Sequence, residues 1–281
     1  MTAAFDALDW RSLSKEALDS GLNNSMAVAG SGNMVEGWEK LSAEMRARHR
    51  THLNLQYGPR ERNRIDFLEA APNAPTLLFI HGGYWQMRSK DAFTLFAAGP
   101  MAHGINVALI GYTLAPDATL EQIVAEIHAG IDFLAGRLPE LGADARRLVA
   151  SGWSAGGHLT AMAMMNPNIR GGVAISGIYD LEPIRHSYLN VKLGLDEAMS
   201  KRNSPMLLTT DAAKPMALTA GGSELPLLRK QTADFAAYRA KCGLPVIYEE
   251  IPGTNHFTIM GEMAQPNGRI TALIRQVVGR V

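Results

Sequence analysis

Residues 148–159 read Leu-Val-Ala-Ser-Gly-Trp-Ser-Ala-Gly-Gly-His-Leu, and the run continues as Thr-Ala-Met-Ala-Met to residue 164. Leu148–Ser151 is apolar and too short for a buried helix, so it reads as a strand. His158–Met164 has the character of a helix. Between them, Gly152-Trp-Ser-Ala-Gly156 fits G-x-S-x-G, the pattern of a nucleophile elbow. The chain must turn sharply there and hold the serine in a strained backbone conformation. Glycines two residues before and after keep side chains from colliding in the turn. The helix that follows points its positive end at the charge that develops on a substrate oxygen. The pentapeptide alone is moderately specific; the strand before it and the helix after it supply the context the motif requires. Ser154 is therefore the candidate nucleophile, and the Ala155 N–H a candidate donor to the oxyanion.

The same rhythm extends in both directions. Thr76–Ile80, Asn106–Ile110, Gly172–Ser176, Met216–Thr219 and Val246–Ile251 are short apolar runs suited to strands covered on both faces. Leu53–Tyr57 and Arg64–Leu68 flank Gly58-Pro59 and read as an antiparallel hairpin. Ile123, Ile127, Ile131 and Leu134 recur at helical spacing, as do Ile270, Leu273, Ile274, Val277 and Val278. Strand alternating with helix predicts an α/β architecture: a mostly parallel central sheet with helices on both faces. With an elbow serine at its centre, this is the α/β-hydrolase fold. We read residues 1–281 as one such domain. Residues 1–50 form a capping segment with an exposed helix over Glu39–Arg50. The mixed stretch 181–205 is an inserted cap above the carboxyl edge of the sheet, where open α/β folds bind ligands.

In this fold the acid and then the base follow the nucleophile in the chain. Three histidines come after Ser154. His158 lies one turn along the elbow helix and reads as a satisfied core residue. His186 falls in the cap, too early for the order. His256, in Gly253-Thr-Asn-His-Phe257, emerges just after the last strand and is the candidate base. Glu224 follows the strand Met216–Thr219 through Gly221-Gly-Ser and is the candidate acid, with Asp180 and Asp234 as rivals. His81-Gly-Gly-Tyr-Trp85 directly follows the strand Thr76–Ile80. Its glycines allow the Gly83 or Tyr84 N–H to supply the second oxyanion donor. Trp85, Tyr179 and Tyr188 are candidate substrate-binding aromatics; for Trp85, packing within the loop is an equal alternative.

Bulk properties narrow the partners. Lys+Arg and Asp+Glu balance at 27 each, so no basic excess argues for nucleic acid or an anionic membrane, and a small molecule is the expected partner. No apolar stretch approaches a bilayer span, and the opening MTAAFDALDW lacks the pattern of a signal peptide. The single Cys242 excludes an internal disulfide and fits a reducing compartment. A cytoplasmic protein is expected, with self-association into a homodimer left open. His49 and His52 lack an acidic companion at ligand spacing, so neither metal nor other cofactor is expected.

From about residue 52 onward the chain resembles the α/β-hydrolase kynurenine formamidases, or arylformamidases. The resemblance rests on His81-Gly-Gly-Tyr-Trp-Gln86, Gly152-Trp-Ser-Ala-Gly-Gly-His-Leu159, Ser176-Gly-Ile-Tyr-Asp-Leu-Glu-Pro183, Arg202-Asn-Ser-Pro205 and Asn255-His-Phe257. It implies metal-free hydrolysis of N-formylkynurenine to kynurenine and formate. It also implies Ser154 as nucleophile, Glu224 as acid, His256 as base, and Gly83, Tyr84 and Ala155 as oxyanion donors. The chain departs from that pattern at Trp153, where the family commonly has His, and at Gly157, where it has Ala. Animal members carry Asp at the position of Glu224. Two other readings use the same scaffold: a carboxylesterase or carbamate hydrolase for short acyl groups, and a non-catalytic ligand receptor.

Overall fold

In a computed structural model, residues 8–49, 52–208 and 213–281 are described. Eight strands form one sheet in the order β1-β2-β4-β3-β5-β6-β7-β8. They are β1 (His52–Gln56), β2 (Arg64–Leu68), β3 (Thr76–Ile80), β4 (Asn106–Ile110), β5 (Leu148–Trp153), β6 (Gly171–Ile175), β7 (Met216–Gly221) and β8 (Val246–Ile251). β1 and β2 form the expected antiparallel hairpin, β2 runs antiparallel to β4, and every other neighbouring pair is parallel. This is the α/β-hydrolase fold.

The strands divide their side chains between two cores. Leu78, Ile80, Ala108, Ile110 and Ala150 face one side, and Leu77, Phe79, Val107, Leu109 and Val149 the other. That is the period of two expected of a sheet buried on both faces. Six helices are used below: α1 (Lys15–Leu22), α2 (Ser31–Arg48), α3 (Leu120–Arg137), α4 (Ala155–Ala163), α5 (Pro226–Lys241) and α6 (Arg269–Val278). The Ile123/Ile127/Ile131/Leu134 stripe of α3 seals the first core and the Ile270/Leu273/Ile274/Val277 stripe of α6 the second. α3 starts at a capping box in which Thr119 and Gln122 satisfy each other's backbone N–H. Truncating one of these buried aliphatic residues to Ala costs about 2–5 kcal/mol.

The N-terminal segment is more deeply engaged than an exposed helix over Glu39–Arg50. α2 begins at Ser31, and Arg50 lies outside the described residues, as do residues 1–7 of the expected capping segment. Val35 and Ser42 are buried, and Trp38 packs edge-on against Phe96 at 5.0 Å. Ser42 Oγ donates to Ala92 O and accepts from Leu95 N, each at 3.0 Å. A buried carboxylate fixes the same seam: Asp66 is fully inaccessible and meets Lys90 Nζ at 2.6 Å and Arg46 Nη2 at 2.9 Å. Removing one partner of such a buried pair costs about 3–5 kcal/mol, because a charge is left without compensation.

Candidate active site

β5 climbs the middle of the sheet and ends at Trp153; Ser154 follows, and its φ of 59° and ψ of −118° place it in strained backbone before α4. A side chain at Gly156 would put its Cβ 2.0 Å from Ile80 O, so the turn closes only with glycine there. Gly82 has the same constraint on the opposite wall: its Cβ would lie 2.6 Å from Trp153 O and 3.1 Å from Ser154 Cβ. The loop after β3 is thereby pressed against the elbow.

That loop turns through three successive residues of positive φ: Gly83 at 116°, Tyr84 at 49° and Trp85 at 60°. Such a run exposes backbone amides on a concave side. Among the described residues, the N–H groups of Gly83, Tyr84 and Ala155 donate to no protein acceptor. The loop is pinned at both flanks. Tyr84 Oη donates to Leu22 O at 2.5 Å and accepts from Asn24 Nδ2 at 3.2 Å, which ties it to α1 and the turn after it. Gln86 Nε2 donates to Leu189 O at 2.9 Å, which ties it to the segment 181–205. Burial pushes the Tyr84 hydroxyl far above its usual range, so it remains a neutral donor.

Glu224 and His256 come from the loops after β7 and β8, and the two loops are bonded to each other through Gly222 N to Ile251 O and Ser223 N to Thr254 O, each 2.9 Å. His256 Nδ1 lies 2.7 Å from Glu224 Oε2, with both side chains buried. A carboxylate only accepts, so Nδ1 carries a proton, and in the neutral imidazole Nε2 is then the acceptor. Glu224 Oε1 accepts from Ser176 Oγ and from Gly221 N, both at 2.6 Å. No hydrogen bond joins Ser154 Oγ to His256 among the described residues; the two residues are 2% and 3% exposed.

The rival acids are held elsewhere. The Asp180 carboxylate accepts from Glu182 N at 3.0 Å, and its backbone N–H and C=O are clamped by Gln231. Asp234 pairs with Lys230 at 2.9 Å on α5. His158 is a core residue with its Nε2 on Asn203 O at 2.7 Å. Burial lowers its pKa to about 4, and Nδ1 is left without a partner. His81, sandwiched between Tyr112 and Phe93, is lowered to about 3 for the same reason.

Two of the expected substrate-binding aromatics have their ring partners in the core. Tyr179 is fully buried and stacked on Phe235 at 4.3 Å. Trp85 is also fully buried, with its ring edge-on to His158 at 5.0 Å. Both rings turn into the core because packing there removes more apolar surface from water than lining an open pocket would. Tyr188 is 38% exposed and lines a surface cavity of about 530 Å³ together with Asp19, Asn23 and Met26 of the N-terminal segment. Sequence reasoning missed Ser176 and the part that Leu22 and Asn24 play at the oxyanion loop. Ser176 could have been found as the polar residue that ends β6 and opens the motif Ser176–Pro183.

Residues 68–175, which carry this loop and the elbow, match the family model described as BD-FAE. A kynurenine formamidase from Salmo salar is 30% identical over 265 residues, covering 88% of this chain and 87% of its own length. The chain belongs to the kynurenine formamidase family. A second kynurenine formamidase, from Danio rerio, is 27% identical over 97% of this chain and 99% of its own length. Among solved structures, a protein of Silicibacter provisionally designated a thioesterase superposes with a TM-score of 0.85. It is 24% identical and covers 92% of this chain and 98% of its own. That likeness carries the fold. Membership of the kynurenine formamidase family, on an α/β-hydrolase fold, makes the protein a hydrolase. Among the described residues no helix is long and apolar enough to cross a membrane, and no cluster of His, Cys, Asp and Glu is arranged to hold a metal ion.

Proposed function

We propose that the protein is a serine hydrolase that cleaves a small N-acyl arylamide, N-formylkynurenine or a close relative, through an acyl-enzyme. The observation that carries this reading is the 2.7 Å contact between Glu224 and His256 Nδ1, made in the loops beside an elbow serine of positive φ. Ser154 Oγ attacks the acyl carbon as His256 Nε2 takes its proton. Glu224 stabilises the imidazolium that forms. The negative oxygen receives the N–H groups of Ala155 and of Gly83 or Tyr84, which are already oriented and make no other bond. His256 then protonates the departing arylamine. It next deprotonates a water that attacks the acyl-enzyme, and formate leaves as Ser154 regains its proton. The Ser154–His256 hydrogen bond closes when substrate fills the site, as catalytic bonds commonly do.

One observation favours a second reading. The Trp85 ring packs edge-on against His158 and the Tyr179 ring stacks on Phe235, so both have partners within the core. The site then selects less for an aryl leaving group, and short acyl esters are the competing substrates. Purified protein assayed with N-formylkynurenine beside p-nitrophenyl acetate tests both. Turnover of the formamide is expected; ester hydrolysis with no detectable formamide cleavage would overturn the first reading in favour of the second.

A further inference from the structure

We propose that Trp153 is a positioning residue for the base: its indole N–H holds the main chain of His256 in place relative to Ser154. The proposal rests on the serine-hydrolase reading above. Trp153 Nε1 donates to His256 O at 2.8 Å, and Trp153 is 4% exposed. The same residue's carbonyl lies against Gly82 of the oxyanion loop. Trp153, next to the elbow serine, thus touches both the oxyanion loop and the loop of His256.

The need for such a tether follows from where His256 sits. Trp153 is the last residue of β5, paired with Ile175 of β6, so the sheet fixes its position. His256 lies beyond the end of β8, on a loop that the sheet does not fix. Asn255 stiffens that loop internally, its Oδ1 accepting from Phe257 N and Thr258 N at 2.9 Å. Glu224 sets the orientation of the imidazole ring through Nδ1. The backbone bond from Ser223 N to Thr254 O holds the loop two residues before His256, and neither it nor the ring contact fixes the peptide of His256 itself; a bond at that carbonyl does. Trp153 makes that bond, and its ring centroid lies 4.8 Å from that of His256. Such pairing is not automatic for a buried indole, since the Trp85 N–H meets no acceptor among the described residues.

The competing account is that Trp153 merely fills space among Trp38, Phe93 and Phe257. Trp153→Phe keeps an apolar ring and removes the donor. With p-nitrophenyl acetate as the probe, kcat is expected to fall about 10-fold and KM to stay within about 2-fold, because the loss falls on alignment and leaves substrate binding untouched. The rate of Ser154 phosphonylation by an organophosphate should fall in parallel. Trp38→Phe, which trims the packing on the same indole without touching the tether, should leave kcat within about 2-fold. If Trp153→Phe does not fold, 3-benzothienylalanine at position 153 gives the same ring shape without the N–H and should show the same loss. Unchanged kcat in Trp153→Phe or in the benzothienyl protein, or an equal fall in Trp38→Phe, would overturn the proposal. These results are read beside His256→Ala: if that variant keeps full activity, the serine-hydrolase reading fails and the proposal with it; if it is crippled, they bear on Trp153 alone.

Discussion

The Ser176 hydroxyl donates to Glu224 Oε1 at 2.6 Å, while the other oxygen of the same carboxylate holds His256. Ser176 does this from a strained backbone with φ of 51°, at the end of β6, with its own N–H on Thr219 O at 2.7 Å. The acid is therefore oriented by a neighbouring strand as well as by its own loop. Ser176→Ala is expected to lower kcat by about 10-fold, the cost of one hydrogen bond to a charged group. Glu224→Gln should cost more, about 10²–10⁴-fold, since it disturbs the tautomer of His256. Asp180→Asn should change kcat by no more than about 3-fold, because the Asp180 carboxylate accepts from Glu182 N, away from His256. If Asp180→Asn proved the more damaging change in steady-state kinetics, the acid would have to be reassigned.

Ser154→Ala should abolish turnover, by about 10⁴-fold or more, with circular dichroism and thermal midpoint near wild type. Mass spectrometry after organophosphate treatment should find the adduct on Ser154. Exhaustive chelation should leave the rate unchanged. Activity lost to EDTA and restored by zinc would refute the mechanism.

Tyr84→Phe removes two hydrogen bonds that join the oxyanion loop to Leu22 and Asn24. Urea unfolding should show a loss of about 1–2 kcal/mol. The stretch from Trp10 to Ala27 should become more sensitive to limited proteolysis. An N-terminal stretch cut no faster than in wild type would mean that this latch is dispensable.

His158 and His81 are buried and kept neutral, with pKa values of about 4 and about 3 against an ordinary 6.5. Between those values the unfolded chain binds protons that the folded chain refuses. Stability from this source is complete above about pH 6.5. It falls as pH drops toward 4 and 3, by up to about 1.4 kcal/mol per pH unit for each histidine. Chemical denaturation across pH 4–7 should show that slope, and His158→Gln should flatten it. A slope unchanged by His158→Gln would place the protonation elsewhere.

Relative kcat/KM for formyl, acetyl and butyryl derivatives of one arylamine should be highest for formyl. An aryl amine also leaves with modest proton donation from His256. A clear optimum at butyryl would move the assignment to a carboxylesterase.

How much of this was legible beforehand varies by element. The runs Thr76–Ile80 and Asn106–Ile110 match β3 and β4 residue for residue, because a strand buried on both faces must be apolar throughout. β5 and β7 run two residues further than expected, through Gly152-Trp153 and Ala220-Gly221. There parallel pairing with β6 and β8 continues past the apolar run, and pairing is invisible to composition. α2 begins eight residues earlier than Glu39, since Gly32 and Gly37 weaken the local helix signal while Val35 and Trp38 gain their stability from the core they touch.

Sequence by itself determined the strand–elbow–helix at Ser154, the alternation that makes an α/β-hydrolase, and the order in which Ser154, Glu224 and His256 occur. Those follow from local sterics and from periodicity, which act over a few residues and leave a trace in the chain. Only the tertiary structure decided which way the aromatic rings turn, that Ser176 and Gly221 share Glu224, and that Trp153 reaches His256 across 103 positions. Each of these is a contact between segments distant in sequence. Its existence depends on how the two cores pack on either side of the sheet, and no local pattern encodes that.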